Sequence, residues 1–297
     1  MAMQDQTRIR ASEITFPALD SFPLAGTLIE GDGSGPLALI SSAAAVPRGI
    51  YRRFAEHLVA DHGFRAVLTY DYRGVSASRI PKGWDPAPTM IDWAEKDMPA
   101  ALERLETVAP DKPMVGIGQS FGGQALGLSG RADRFERYMM VAVMSGHWRY
   151  TNEPMKVFAS MNLVGVPLAL LTGRVPGWIG LGETLPGPVF RQWARWGRNP
   201  DYFFADKAMD AATRFASVTT PILAIGAEDD PWGTPRAQEA LLKMYVNAPI
   251  ERIWLAPPGE GQPIGHIGFF RSAFRDTLWT VATDWLTGAD PGVRAAV

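Results

Sequence analysis

The stretch Pro113 to Gly127 constrains the chain most. A short apolar run, Met114 to Ile117, ends in Gly118-Gln119-Ser120-Phe121-Gly122, and small residues then follow at helical spacing. Strand, Gly-x-Ser-x-Gly and helix in that order form the nucleophile-elbow pattern. The turn is so tight that side chains at Gly118 and Gly122 would collide with neighbouring backbone, and Ser120 is expected in a strained conformation with its hydroxyl held above a sheet.

A serine hydroxyl at neutral pH needs a base, and the base needs a third group to orient it. There is no cysteine, which removes thiol nucleophiles, thiolate metal sites and disulfides together, and only His57, His62, His147 and His266 are available as bases. His57 and His62 fall within or at the end of the first helix and read as solvated or packing residues. His147 follows a strand ending near Met144 and could line a pocket. His266, in Gly265-His266-Ile267-Gly268, comes after the last strand, where the elbow topology expects the histidine, and the small residues around it free the ring to reach the serine. The acid is expected in Ala227-Glu228-Asp229-Asp230-Pro231, after the strand Ile222 to Ile225. Asp229 and Asp230 point opposite ways in an extended loop, so one of them faces His266, and chemistry alone leaves both open.

The rest of the chain supplies the strands and helices such a site requires. Arg8 to Phe16 and Phe22 to Glu30 predict an antiparallel hairpin. Leu37 to Ile40, Ala66 to Thr69, Met114 to Ile117, Tyr138 to Met144, Ile222 to Ile225 and Ile253 to Leu255 read as strands, most of them apolar throughout, as strands covered on both faces are. Helices are predicted around Tyr51 to Val59, ended by Gly63, from Asp92 through Leu105, over 121–130, over Pro235 to Lys243, and as one long closing helix from Phe269 to Leu286 with Phe270, Phe274, Leu278, Val281 and Trp285 inward. The alternation predicts an α/β fold with a mostly parallel central sheet and helices on both faces. It breaks between Gly146 and Ser217, a stretch with Trp148, Trp178, Trp193, Trp196 and several Pro-Gly turns. This predicts an inserted helical cap at 146–217, with 1–145 and 218–297 forming the core domain.

With these residues in place, the chain resembles an α/β-hydrolase from about Phe22 to Leu286. Ser120, Asp230 and His266 follow the family's nucleophile, acid, histidine order, and Asp71-Tyr72-Arg73-Gly74-x-Ser76 resembles another common family segment. In many members a proline follows the acid, which favours Asp230 over Asp229. The chain departs from the family at Ser41-Ser42-Ala43-Ala44, where His-Gly is frequent. An oxyanion hole needs backbone N–H groups rather than particular side chains, so Phe121 with Ala43 or Ala44 would supply it. A serine at the elbow argues against the haloalkane and epoxide hydrolases of this fold, which carry a carboxylate there.

The resemblance implies a serine hydrolase cleaving a carboxylic ester through an acyl-enzyme. The same machinery would serve an acyltransferase, a thioesterase or a proline-type peptidase, and a non-catalytic binding member of the fold is a further alternative. Trp148, Phe158, Met161 and Trp178 are the expected apolar substrate pocket. Arg191, Arg195 and Arg198 read as a solvated helix face. No metal or cofactor is expected, and the partner is a small-molecule substrate. A net charge of −2 offers no general attraction to nucleic acid or to an anionic membrane. Met1 to Arg10 is polar and lacks the apolar core of a secretory signal, which leads to an expectation of a cytoplasmic protein. Val157 to Leu171, interrupted by Asn162 and Pro167, is too short for comfortable spanning, so no stable membrane insertion is expected.

Overall fold

The computed structural model describes residues 9–180, 182–259 and 261–288; the predicted start of the first strand at Arg8 lies outside them. In chain order, β1 (Arg10–Pro17) and β2 (Pro23–Glu30) form a hairpin, followed by β3 (Leu37–Ser41), α1 (Arg52–His62) and β4 (Ala66–Tyr70). Then come α2 (Met90–Asp92), α3 (Met98–Glu106), β5 (Met114–Gln119), α4 (Phe121–Ser129) and β6 (Arg137–Val141). Between β6 and the next strand of the sheet lie α5 (Pro154–Phe158), α6 (Val166–Thr172), a two-residue pairing of β7 (Arg174–Val175) with β8 (Leu185–Pro186), α7 (Gly187–Gly197) and α8 (Ala211–Ala216). The core resumes with β9 (Ile222–Ala227), α9 (Pro235–Leu242), β10 (Ile250–Leu255) and α10 (Leu278–Thr287).

Eight strands form one sheet in the order β1-β2-β4-β3-β5-β6-β9-β10, antiparallel across β1, β2 and β4 and parallel from β4 onward. This is the α/β architecture with a mostly parallel central sheet that the sequence predicts. Period-two alternation divides the central strands between two cores. Leu37 and Leu39 of β3 and Tyr138 and Met140 of β6 face the side packed by α3, α4 and α9. Ala38, Ile40, Met139 and Val141 face the side covered by α1 and α10. Both faces are therefore dry, which explains the unbroken apolar runs; the edge strands β1 and β10 stay partly exposed.

Several elements differ from expectation, among them the strand predicted over Tyr138 to Met144, which runs from Arg137 to Val141. The helix predicted to open at Asp92 begins at Met90: Thr89 caps it, and Asp92 is the third helical residue of a capping box. A π turn at Trp93–Asp97 precedes Pro99, and a second at Ala159–Gly165 precedes Pro167. A proline ring inside an α-helix clashes with the carbonyl four residues back, and the wider turn relieves that crowding. The long closing helix is replaced by two short 3₁₀ turns, Gly268–Phe270 and Ser272–Phe274, with α10 starting only at Leu278. The chain leaves helical geometry at Arg271 (φ −68°, ψ 137°) and again at Thr277 (φ −126°, ψ −86°), while Phe269 and Phe270 both pack on Phe54. In α10 the inner face is completed by Trp279 and Ala282, while Val281 is only half-buried.

Candidate active site

β5 delivers its last residue, Gln119, directly into the elbow, and Ser120 takes φ 50° and ψ −110° before α4 begins. A Cβ at Gly118 would lie 2.3 Å from the Gly122 carbonyl oxygen, and one at Gly122 would lie 2.0 Å from that of Ser41. The glycines are therefore obligatory here, because they let α4 start against β3 and β5 with only backbone between them. The strained φ of Ser120, of a kind that costs about 1–3 kcal/mol, is held by surrounding packing.

The hydroxyl of Ser120 lies 3.0 Å from Nε2 of His266, and Nδ1 of His266 lies 2.8 Å from Oδ2 of Asp230. The three groups come from the C-terminal ends of β5 and β9 and from the loop beyond β10. Asp230 is enclosed, and its other oxygen accepts the Trp232 N–H at 2.8 Å. Burial pushes the Asp230 carboxyl up, but the hydrogen bond and charge of His266 with the N–H groups of Trp232 and Gly233 outweigh it and hold the group below the ordinary aspartate range. It is thus ionised at neutral pH.

Asp229 points the other way and has a different task. Its two oxygens accept the N–H groups of Ile264 and Gly265, each at 2.9 Å. One aspartate contacts the imidazole while its neighbour holds the loop that carries it. His147 is turned from the serine: its Nδ1 meets the Gly197 carbonyl at 3.0 Å and its ring packs edge-on to Tyr150, tying the first turn of the insertion to the end of α7. Burial pushes its imidazole down. His57 and His62 contact each other on α1, with Nε2 atoms 3.1 Å apart.

Two expectations need correction. The N–H of Ala43 is not free for an oxyanion, because it donates to the Tyr51 hydroxyl at 2.9 Å. The candidate donors are then Ala44 and Phe121; the latter opens α4, where first-turn N–H groups have no intrahelical acceptor. Trp178, expected in a substrate pocket, is 74% exposed, because the 3₁₀ turn Gly177–Ile179 between Pro176 and Gly180 swings its ring outward. Of the other expected pocket residues, Met161 is buried in the main core, while Trp148 and Phe158 pack on each other with centroids 5.0 Å apart.

Sequence reasoning missed four residues. Trp232 lies 6.4 Å from the His266 ring, and Trp193 of α7 lies 6.1 Å from Trp232, so an aromatic pair links α7 to the histidine. The Glu183 N–H donates to the Ala45 carbonyl at 2.8 Å, joining the insertion to the loop after β3 as well. The other two are Tyr51 and Gln119. Burial pushes the Tyr51 phenol well above its usual value, so it stays protonated and donates to Gln119 Oε1 at 2.6 Å. Gln119 Nε2 donates in turn to the His266 carbonyl at 2.8 Å. One buried chain of hydrogen bonds thus links the loop after β3, the residue before the serine and the backbone of the histidine. The polar Gln119 inside an otherwise apolar strand is the signal that could have revealed it. Tyr51→Phe leaves the Ala43 N–H and Gln119 Oε1 without partners in a dry interior, and should lower unfolding free energy by about 2 kcal/mol in urea titrations.

A sequence profile of the alpha/beta hydrolase family matches residues 37–289, and the chain belongs to that family. Among solved structures, DcsB in complex with its substrate analogue superposes with a TM-score of 0.67 at 14% identity, over 95% of this chain and 100% of that one. The alpha/beta hydrolase GrgF from Penicillium sp. sh18 gives 0.60 at 17% identity, over 94% of this chain and 99% of that one. An esterase of Pyrococcus furiosus gives 0.58 at 14% identity, over 94% of this chain and 90% of that one. At such identities the likeness establishes the fold. No protein of curated function matches the sequence.

Proposed function

We propose that the protein is a serine hydrolase cleaving a carboxylic ester with an apolar acyl or alcohol part. The observation that carries this reading is the unbroken contact from the Ser120 hydroxyl through His266 to the enclosed Asp230, at 3.0 and 2.8 Å. Ser120 Oγ attacks the ester carbonyl carbon as His266 Nε2 takes its proton. The carbonyl oxygen becomes an oxyanion held by the N–H groups of Phe121 and Ala44. As the tetrahedral intermediate collapses, His266 returns that proton to the leaving alcohol and an acyl group remains on Ser120. A water deprotonated by His266 then attacks the acyl carbon, releasing the carboxylic acid and restoring the serine hydroxyl. Asp230 stays ionised throughout and stabilises the transient imidazolium.

The ester reading draws support from an esterase among the structural neighbours and from the half-buried Trp232 beside the histidine, which offers apolar surface to a bound chain. A panel of p-nitrophenyl esters, acyl thioesters and aminoacyl amides tests it. Esters should turn over at least ~10-fold faster than matched thioesters and amides, a difference of ~1.4 kcal/mol in barrier. Preference for a thioester or an amide would move the protein to one of the other activities this machinery supports.

A further inference from the structure

From Pro154 to Thr172 the chain is one continuous helical stretch of 19 residues, α5 and α6 joined by the π turn. Val157, Met161, Gly165 and Ala169, spaced by four, face inward, and Gly165 lies against the Phe190 ring of α7. A helix on a water-facing surface carries polar residues on its outer side. This one carries Met155, Leu163, Val164, Leu170 and Leu171 there, with Leu163 at 66% and Leu171 at 83% exposure. With Trp178 just beyond, six of the eleven exposed large apolar side chains among the described residues fall within 155–178. An apolar patch concentrated in this way marks an interaction surface.

Charge identifies what it meets. From Pro154 through Gly182 there is no acidic residue; Lys156, at one end of the apolar stretch, pairs with Glu153 at 2.9 Å, and Arg174 stands at the other end. Arg198 reaches its middle from α7, donating to Asn162 Oδ1 at 2.8 Å. Residues 146–217 hold eight lysines and arginines against five acids, in a chain whose net charge is −2. The rest of the sequence therefore carries a net −5, so the apolar face belongs to the basic segment of an otherwise acidic chain. Two copies meeting through this face would bring like charges together, whereas an anionic surface would attract it and turn the acidic body away.

Length and packing fix the mode of contact. Nineteen helical residues reach about 28 Å, long enough by size and composition to cross a bilayer. One side of the stretch is nonetheless committed to α7 and the core, and only 22% of its apolar window is buried. Such a helix lies along an interface with its free side in the acyl boundary and a tryptophan at headgroup depth, as Trp178 would be. We propose that this face of the insertion docks the protein on an anionic lipid surface.

Flotation of the full-length protein with vesicles tests this, independently of the hydrolase chemistry. The protein should float with phosphatidylglycerol vesicles at low salt, at least tenfold less with phosphatidylcholine vesicles, and much less with phosphatidylglycerol in 0.5 M salt, as expected for about an 8 Å or shorter screening length. The double substitution Leu163→Asp and Leu171→Asp, at two solvent-facing positions, should cut flotation at least tenfold while circular dichroism and thermal midpoint stay unchanged. No flotation with phosphatidylglycerol, equal flotation with both lipids, or flotation unaffected by the double substitution would overturn the proposal. A concentration-dependent dimer in light scattering that the same substitutions abolish, without vesicle binding, would assign the face to a second copy and overturn it as well.

Discussion

Ser120→Ala should reduce ester turnover by about 10⁵-fold, the scale on which removal of a covalent nucleophile acts when the base and the oxyanion donors remain. The protein should stay folded. The substitution keeps the Cβ, so the backbone strain at φ 50° is unchanged, and the interaction lost within the site is the contact with His266 at 3.0 Å. A thermal midpoint close to that of the parent, measured beside the activity, separates loss of chemistry from loss of structure.

Asp230→Asn should cost about 10⁴-fold in turnover, since an amide presents an N–H where the imidazole needs an acceptor and favours the wrong tautomer. Asp229→Asn is the informative contrast. Its carboxylate accepts two N–H groups from the histidine loop and does not touch the ring, so its loss should cost only about tenfold, or ~1.4 kcal/mol of barrier. The two variants also differ in pH behaviour. The folded Asp230 carboxyl titrates below its unfolded value, so the stability it supplies is present above the unfolded aspartate range and is lost as pH falls through the folded value. Asp230→Asn should remove that dependence in urea titrations followed across the acid range.

The elbow, the central strands and the order of serine, acid and histidine were legible because each rests on short-range rules: a glycine-flanked turn, an apolar run, a loop after a strand. What escaped depends on side chains that meet only in the folded state. Tyr51 and Gln119 are 68 positions apart, and nothing local says that the tyrosine takes the Ala43 N–H and leaves Ala44. Trp178 and Trp193 look equivalent as aromatic residues of a cap, yet a tight turn points one to solvent and an amphipathic helix points the other at Trp232. The stretch at 157–171 is apolar apart from Ser160 and Asn162, so periodicity could not say which side was covered. The closing helix was overread because Phe270, Phe274 and Leu278 keep helical spacing in the sequence while the backbone breaks at Arg271 and Thr277, which that spacing does not reveal.

The hydrolase reading stands on Ser120 being activated in the native site. A fluorophosphonate forms a covalent bond only with a serine whose proton a neighbouring base can remove, so the direct measurement is to treat the folded protein and map the adduct by peptide mass spectrometry. The adduct should fall on the peptide holding Ser120 alone, with a rate that His266→Ala lowers by at least ~10³-fold. An unlabelled Ser120 in folded protein, or equal labelling after His266→Ala, would contradict the account.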